Sequence, residues 1–144
     1  MSRAEDCIFC DIIAADAEAS FVYEDELVVS FLTIGPVTAG HLMVVPRAHM
    51  PQLADISEEV GGRMFTVALQ LAQALRDSGL PCEGVNLFHA DGAAAFQEVF
   101  HSHLHVFPRY EGDGFRLAAD WRGTPSRDEL DTNASLIRAA LDGG

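Results

Sequence analysis

The sequence predicts an α+β fold: a mainly antiparallel sheet of about five strands, one long helix and a C-terminal helix. Three observations point to it. Five short runs rich in Val, Leu and Phe are divided by glycine, proline or acidic turns. One long stretch, from about Ser57 to Ser78, carries apolar residues at helical spacing. After it, two further strand-like runs lie next to each other, with only a short glycine-containing loop between them.

After "CIFCDIIA", the segments "SFVYEDE" and "LVVSFLTI" read as two strands meeting at an acidic turn. "GPVTAG" is a loop, and "HLMVVP" a short buried strand ended by Pro46. For the long helix, Ser57 serves as N-cap with Glu58 and Glu59 in the first turn. Gly79 and Pro81 end it, and Val60, Met64, Val67, Ala68, Leu71 and Leu75 form its apolar stripe. "GVNLFHA" follows as a strand, "DGAAAF" as a loop, and "HSHLHVFPR" (101–109) as the last strand. Beyond Glu111 the chain turns polar and glycine-rich, with a helix expected from about Ser126 to Leu141.

A chain of 144 residues with 49% hydrophobic and 22% charged content suits one soluble domain with a sizeable core. The net charge of −13 comes from 22 acidic residues against nine arginines and no lysine. Such a field repels nucleic acid and anionic membrane surfaces, so a polymer-binding role is not expected. A small anionic substrate remains compatible, because local dipoles in a pocket can oppose the global field. No apolar run approaches the ~20 residues of a membrane span. "MSRAEDCIFC" lacks the basic head and apolar stretch of a secretory signal, so a cytoplasmic location is expected. Three cysteines, Cys7, Cys10 and Cys82, make no disulfide framework.

The chemistry concentrates in "HSHLHVFPR", where His101, His103 and His105 occupy every second position. In a strand they would share one face. One such histidine is most simply a buried, hydrogen-bonded side chain, but three in alternation each demand a polar partner. His101 and His105 would be roughly 13 Å apart at their α-carbons. Zinc holds nitrogen at about 2 Å, so the three cannot serve one ion and must divide their labour. Cys7 and Cys10 supply half of a tetrahedral site that histidines elsewhere would close as Cys2His2; a core cysteine pair or redox dithiol is the competing reading. His49 is an ordinary loop histidine on its own. His41 follows Gly40 at the mouth of a strand, and the loop at Gly92 can present N–H groups to a phosphate. No GxxxxGK[ST], GxGxxG or GxSxG segment is present. If phosphate chemistry occurs, histidine is the nucleophile to expect.

Taken together and in order, "CIFC", "GHLMVVPRAH" and "FQEVFHSHLHVFPR" resemble the histidine triad (HIT) family of nucleotide hydrolases and transferases, in particular its zinc-containing bacterial-type members. The resemblance runs from about Cys7 to Arg109. It implies a HIT domain over 1–110, with 111–144 as a helical C-terminal extension of the same single domain. It implies His103 as the nucleophile that attacks the α-phosphorus of a nucleotidyl conjugate, a nucleoside phosphoramidate or dinucleoside polyphosphate. A nucleotidyl-histidine intermediate then releases nucleoside monophosphate. His105 and His41 are implied to line the phosphate pocket, and loop N–H groups near Gln97, Glu98 and Val99 to hold its oxygens. Cys7, Cys10, His49 and His101 are implied to bind a structural zinc, and a homodimer is expected.

Four positions depart from the family pattern. Thr33 stands where members carry Asp or Asn on the ribose hydroxyls, and Ala90 where Asn or Gln contacts the phosphate region. Phe96 replaces a glycine, and Glu98 takes the place of a hydroxyl residue that assists the leaving group. Two alternatives stand beside the hydrolase: a non-catalytic nucleotide-binding regulatory module, to which Thr33 and Ala90 give weight, and a metal-dependent hydrolase with His101 and His103 on a catalytic metal.

Overall fold

A computed structural model describes residues 4–143 of the chain. The expected α+β architecture is present. Five strands, β1 (Phe21–Glu24), β2 (Val28–Leu32), β3 (Leu42–Pro46), β4 (Gly84–His89) and β5 (Leu104–Arg109), form one sheet in the order β1-β2-β3-β5-β4. Every neighbouring pair is antiparallel. Three α-helices accompany it among the described residues: α1 (Ile8–Ile13), α2 (Glu58–Asp77) and α3 (Arg127–Asp142).

Helix α2 begins where its cap places it, with the Ser57 hydroxyl accepting from the Val60 N–H at 3.2 Å. Its buried residues are the six of the predicted stripe. They pack on Val28, Leu42, Val44 and Val106, which share one face of the sheet. Residues between these in β2 and β3 point to the opposite face, so Val29, Phe31, Met43 and Val45 meet Cys7, Phe9, Cys10 and Ile12 of the α1 segment. Strands covered on both faces need the near-continuous apolar runs that "LVVSFL" and "LMVVP" provide. At the first hairpin, the Asp25 carboxylate accepts from the Leu27 and Val28 N–H groups at 2.8 and 2.9 Å.

Four boundaries differ from the sequence reading. Helix α1 was not anticipated, because six residues are too few to show a helical period. The first two strands are shorter than their apolar segments, since Asp25 and the loop after Leu32 take the ends. The last strand starts at Leu104, so His101 and His103 precede it rather than lie within it. The His101 carbonyl and both rings are committed elsewhere. The C-terminal helix starts one residue later than expected, with the Ser126 hydroxyl as cap to the Glu129 N–H. None of α3 is buried. No helix among the described residues is long and apolar enough to cross a membrane.

Gly40 has φ +95°, and a Cβ there would lie 2.9 Å from Leu80 Cδ1 and 3.1 Å from Leu75 Cδ2. The chain uses that close passage over the end of α2 to deliver His41 to the start of β3.

Candidate functional site

Two groups of side chains meet along the segment leading into β5. The first contains Cys7, Cys10, His49 and His101, whose candidate ligand atoms all lie within 4.8 Å of one another. Cys7 caps α1, and the one-turn spacing puts Cys10 on the same side. His101 Nδ1 is 3.4 Å from Cys7 Sγ and 3.6 Å from Cys10 Sγ, and His49 Nδ1 is 3.5 Å from Cys10 Sγ. A tetrahedral zinc with ordinary Zn–S and Zn–N lengths has S···N edges of about 3.6 Å. The donor set and spacing therefore fit zinc. The His101 Nε2–H donates to the Pro46 carbonyl at 2.7 Å, which leaves Nδ1 as the ring's lone-pair donor. Burial also pushes His101 down to about 4, with the neighbouring His49 and His103 adding to the shift, so the neutral ligand form is the one present near neutrality.

The second group is a chain of rings. His103 is buried, and its Nδ1–H donates to the His101 carbonyl at 2.8 Å. That bond leaves the Nε2 lone pair free for chemistry. The Val37 N–H donates to His41 Nδ1 at 3.2 Å, so the His41 proton sits on Nε2. His41 Nε2 lies 2.9 Å from His105 Nδ1, which makes His105 Nδ1 the acceptor and leaves His105 Nε2–H as an outward donor. The His103 and His105 ring centroids are 4.9 Å apart. One free lone pair and one free N–H donor thus stand side by side. Phe9 of α1 holds edge contacts to His101 and His103, with centroids at 5.8 and 5.2 Å.

Burial lowers His41 and His103 from the ordinary histidine value, and pushes His105 down to about 4 with help from its neighbours His103, His41 and His89. The unfolded chain, with its imidazoles near 6.5, therefore binds more protons than the folded one between about pH 6.5 and 4. Stability is fully present above 6.5 and lost as pH falls toward 4, on the order of 3 kcal/mol from His105 alone. Thermal denaturation across this range tests it. A midpoint that does not move would mean the rings are not held neutral by the fold.

The loop from Gly92 to Val99 lies beside these rings in sequence and is organised by Gln97. Its amide donates to the Pro51 and Val99 carbonyls at 2.7 and 3.1 Å, and its oxygen accepts from the Gly92 N–H at 2.8 Å. Gln97 is buried, and its own N–H donates to the Gly92 carbonyl. It shapes the loop from within. The Glu98 and Val99 N–H groups donate to no other described residue. Thr33 sits beside His41 through its N–H, which donates to the His41 carbonyl at 3.2 Å, while its hydroxyl accepts from the Gly35 N–H. Glu98 is exposed and Ala90 buried.

Phe96 occupies the left-handed region at φ +73° with 80% of its surface exposed. Because the ring buries little there, Phe96→Gly should raise stability by about 1 kcal/mol by removing the backbone strain. Chemical denaturation checks the sign; a destabilised variant would refute the strain argument, the freedom glycine adds to the unfolded chain then outweighing it.

Sequence reasoning missed the backbone acceptors at Pro46 and His101, which set the two tautomers, and His89, whose Nε2 pairs with the Ser102 hydroxyl. Backbone carbonyls carry no residue signature. His89 stood in a strand without a partner motif.

A model of the HIT domain matches residues 14–112. The Bacillus subtilis protein hit is 43% identical over 123 residues, which span 85% of this chain and 83% of that protein. The crystal structure of a HIT family protein from Bacillus anthracis superposes with a TM-score of 0.87 at 37% identity, covering 96% of this chain and 99% of its own. A Zn-bound histidine triad family protein from Mycobacterium smegmatis superposes with a TM-score of 0.75 at 41% identity, covering 96% of each chain.

Proposed function

This chain belongs to the HIT family, and on that premise we propose that it is a nucleotidyl hydrolase working through a covalent intermediate on His103. The substrates are nucleotidyl conjugates, a nucleoside phosphoramidate or a dinucleoside polyphosphate. The observation that carries the reading is the fixed tautomer of His103. Its Nδ1–H is tied to the His101 carbonyl, so Nε2 offers an unprotonated lone pair near pH 7.

In the first step Nε2 attacks the α-phosphorus. The N–P bond forms as the bond to the leaving group breaks, and the leaving group departs with its electron pair and takes up a proton from solvent. The His105 Nε2–H, backed by His41, donates to a phosphoryl oxygen, and the Glu98 and Val99 N–H groups supply further donors. In the second step water attacks the same phosphorus and gives up a proton to solvent, the N–P bond breaks, and His103 recovers its lone pair as nucleoside monophosphate leaves. Thr33 borders the site on the His41 side, where the resemblance places the ribose. Cys7, Cys10, His49 and His101 would hold a structural zinc. Such an ion cross-links α1 to the segment carrying His103 and takes no part in the phosphoryl step.

The protein acts as a cytoplasmic homodimer on a small-molecule nucleotide, without nucleic acid or membrane as partner. Support for a second copy comes from the edge strand β4, which leaves Leu87 and Phe88 exposed, and from the exposed Leu136, Ile137 and Leu141 of α3. Light scattering should give twice the chain mass; a monomer at micromolar concentration would refute it.

Single-turnover reaction with labelled adenosine phosphoramidate and diadenosine polyphosphate tests the chemistry, with intact-protein mass spectrometry to detect an adenylated chain. A transient adduct followed by AMP is expected. Tight binding with neither adduct nor AMP would instead favour the non-catalytic binding module.

A further inference from the structure

We infer that Phe115, held by an Arg109–Asp113 clamp, is a positioning residue for the His41–His105 pair, an inference that rests on the chemistry proposed at His103. Asp113 and Phe115 lie just beyond the segment matched by the HIT model, which ends at residue 112. They nevertheless close onto the same side of the sheet as the histidines.

Arg109, the last residue of β5, donates from Nε to Asp113 Oδ2 at 2.7 Å and from Nη1 to Asn86 Oδ1 of β4 at 2.6 Å. Its Nη2 reaches the Phe115 carbonyl at 3.1 Å, and its guanidinium carbon stands 4.6 Å from the Phe115 ring centroid. The Asp113 carboxylate also accepts from the Tyr110 and Phe115 N–H groups, at 3.1 and 3.0 Å. Only 4% of that side chain is exposed. One carboxylate and one guanidinium thus fix the whole 110–115 turn, with bidentate geometry that resists rotation.

The clamp aims one ring. Phe115 lies 5.2 Å from Phe107, centroid to centroid, and Phe107 lies 5.0 Å from His41 in an edge-on arrangement. Phe107 is buried, and its ring meets Phe115, His41 and, at 6.4 Å, His105 itself. His41 in turn orients His105 across 2.9 Å. Close-packed rings transmit displacement because the interior has no slack to absorb it. Without Phe115, Phe107 and then His41 gain room, and the His105 donor loses its aim.

The test uses the full-length, zinc-loaded protein. Phe115→Ala should slow adenylylation of His103 about tenfold in single turnover, with zinc content unchanged. Phe115→Tyr should restore the rate, and Asp113→Asn should show a loss of the same kind if Phe115→Ala fails to fold. In a His41→Ala background, Phe115→Ala should add a smaller loss than it causes alone, because much of its effect passes through His41. An unchanged rate in the single variant, or the full loss repeated in the double, overturns the inference. Imidazole 15N shifts give a readout independent of turnover: the His41 and His105 signals should change in Phe115→Ala and return in Phe115→Tyr. If the parent protein forms no adduct, the proposed chemistry falls, and unchanged shifts would then sink the positioning role separately.

Discussion

His103→Ala is expected to abolish the nucleotidyl adduct and to slow nucleotide release by on the order of 10^4-fold or more. The reason is specific to this ring. His103 presents Nε2 as a lone pair because Nδ1–H is tied to a carbonyl, and burial shifts the ring toward its neutral form. His105 cannot take over, since its Nδ1 faces His41 and its Nε2 carries the proton. Alanine also leaves the His101 carbonyl without its donor, a cost to stability but not to the metal cluster, whose ligand atoms lie elsewhere. Rapid-quench kinetics with mass detection read both outcomes. His41→Ala and His105→Ala should cost less, about 10^2-fold, as expected for removing one stabilising donor from a site that keeps its nucleophile. If His103→Ala still forms an adduct, another residue is the nucleophile and the assignment is wrong.

The second large effect concerns the metal. Cys10→Ser, or removal of zinc by a chelator, should destabilise the fold by on the order of 5 kcal/mol or more. The cluster joins three parts of the chain remote in sequence: α1, the segment after β3, and the entry to β5. Helix α1 has six residues, too few to persist without tertiary support. Freed from the cluster, it would withdraw Phe9 from the rings of His101 and His103. Calorimetry with and without chelator checks the loss, and metal analysis should find one zinc per chain. Adenylylation assayed in the cold immediately after chelation should persist, because no ligand of the cluster is the nucleophile. Immediate disappearance of the reaction would favour a catalytic metal.

Helix α2 was legible because cap, stripe and stop are all local: Ser57, the six apolar positions and Gly79 need no knowledge of the rest of the chain. The division of labour among the three histidines was argued from strand dimensions, yet His101 and His103 precede β5; it is the fold around them that turns His101 to the cysteines and His105 to His41. What determines their tautomers was not legible. Pro46 and the backbone of His101 act through carbonyl oxygens, which every residue possesses. Gln97 shows the opposite case: the resemblance implied a backbone N–H near it for a phosphate oxygen, but that N–H donates to the Gly92 carbonyl and the side chain braces the same loop. Asp113 and Phe115 belong to a glycine-rich tail whose composition gives no hint that a ring from it would lie one residue away from His41. Their role depends on contacts made only after β4 and β5 have paired.

Helix α3 carries one more consequence. It contributes to neither core cluster, and 69% of Ile137 and 77% of Leu141 remain accessible. A 16-residue helix without tertiary cover opens and closes with the ease of a peptide. The sheet, by contrast, opens only when the domain does. Amide hydrogens should therefore report two clocks in one molecule, a fast one beyond residue 126 and a slow one in β2, β3 and β5. Whatever covers α3 would be recognised by bringing the two together.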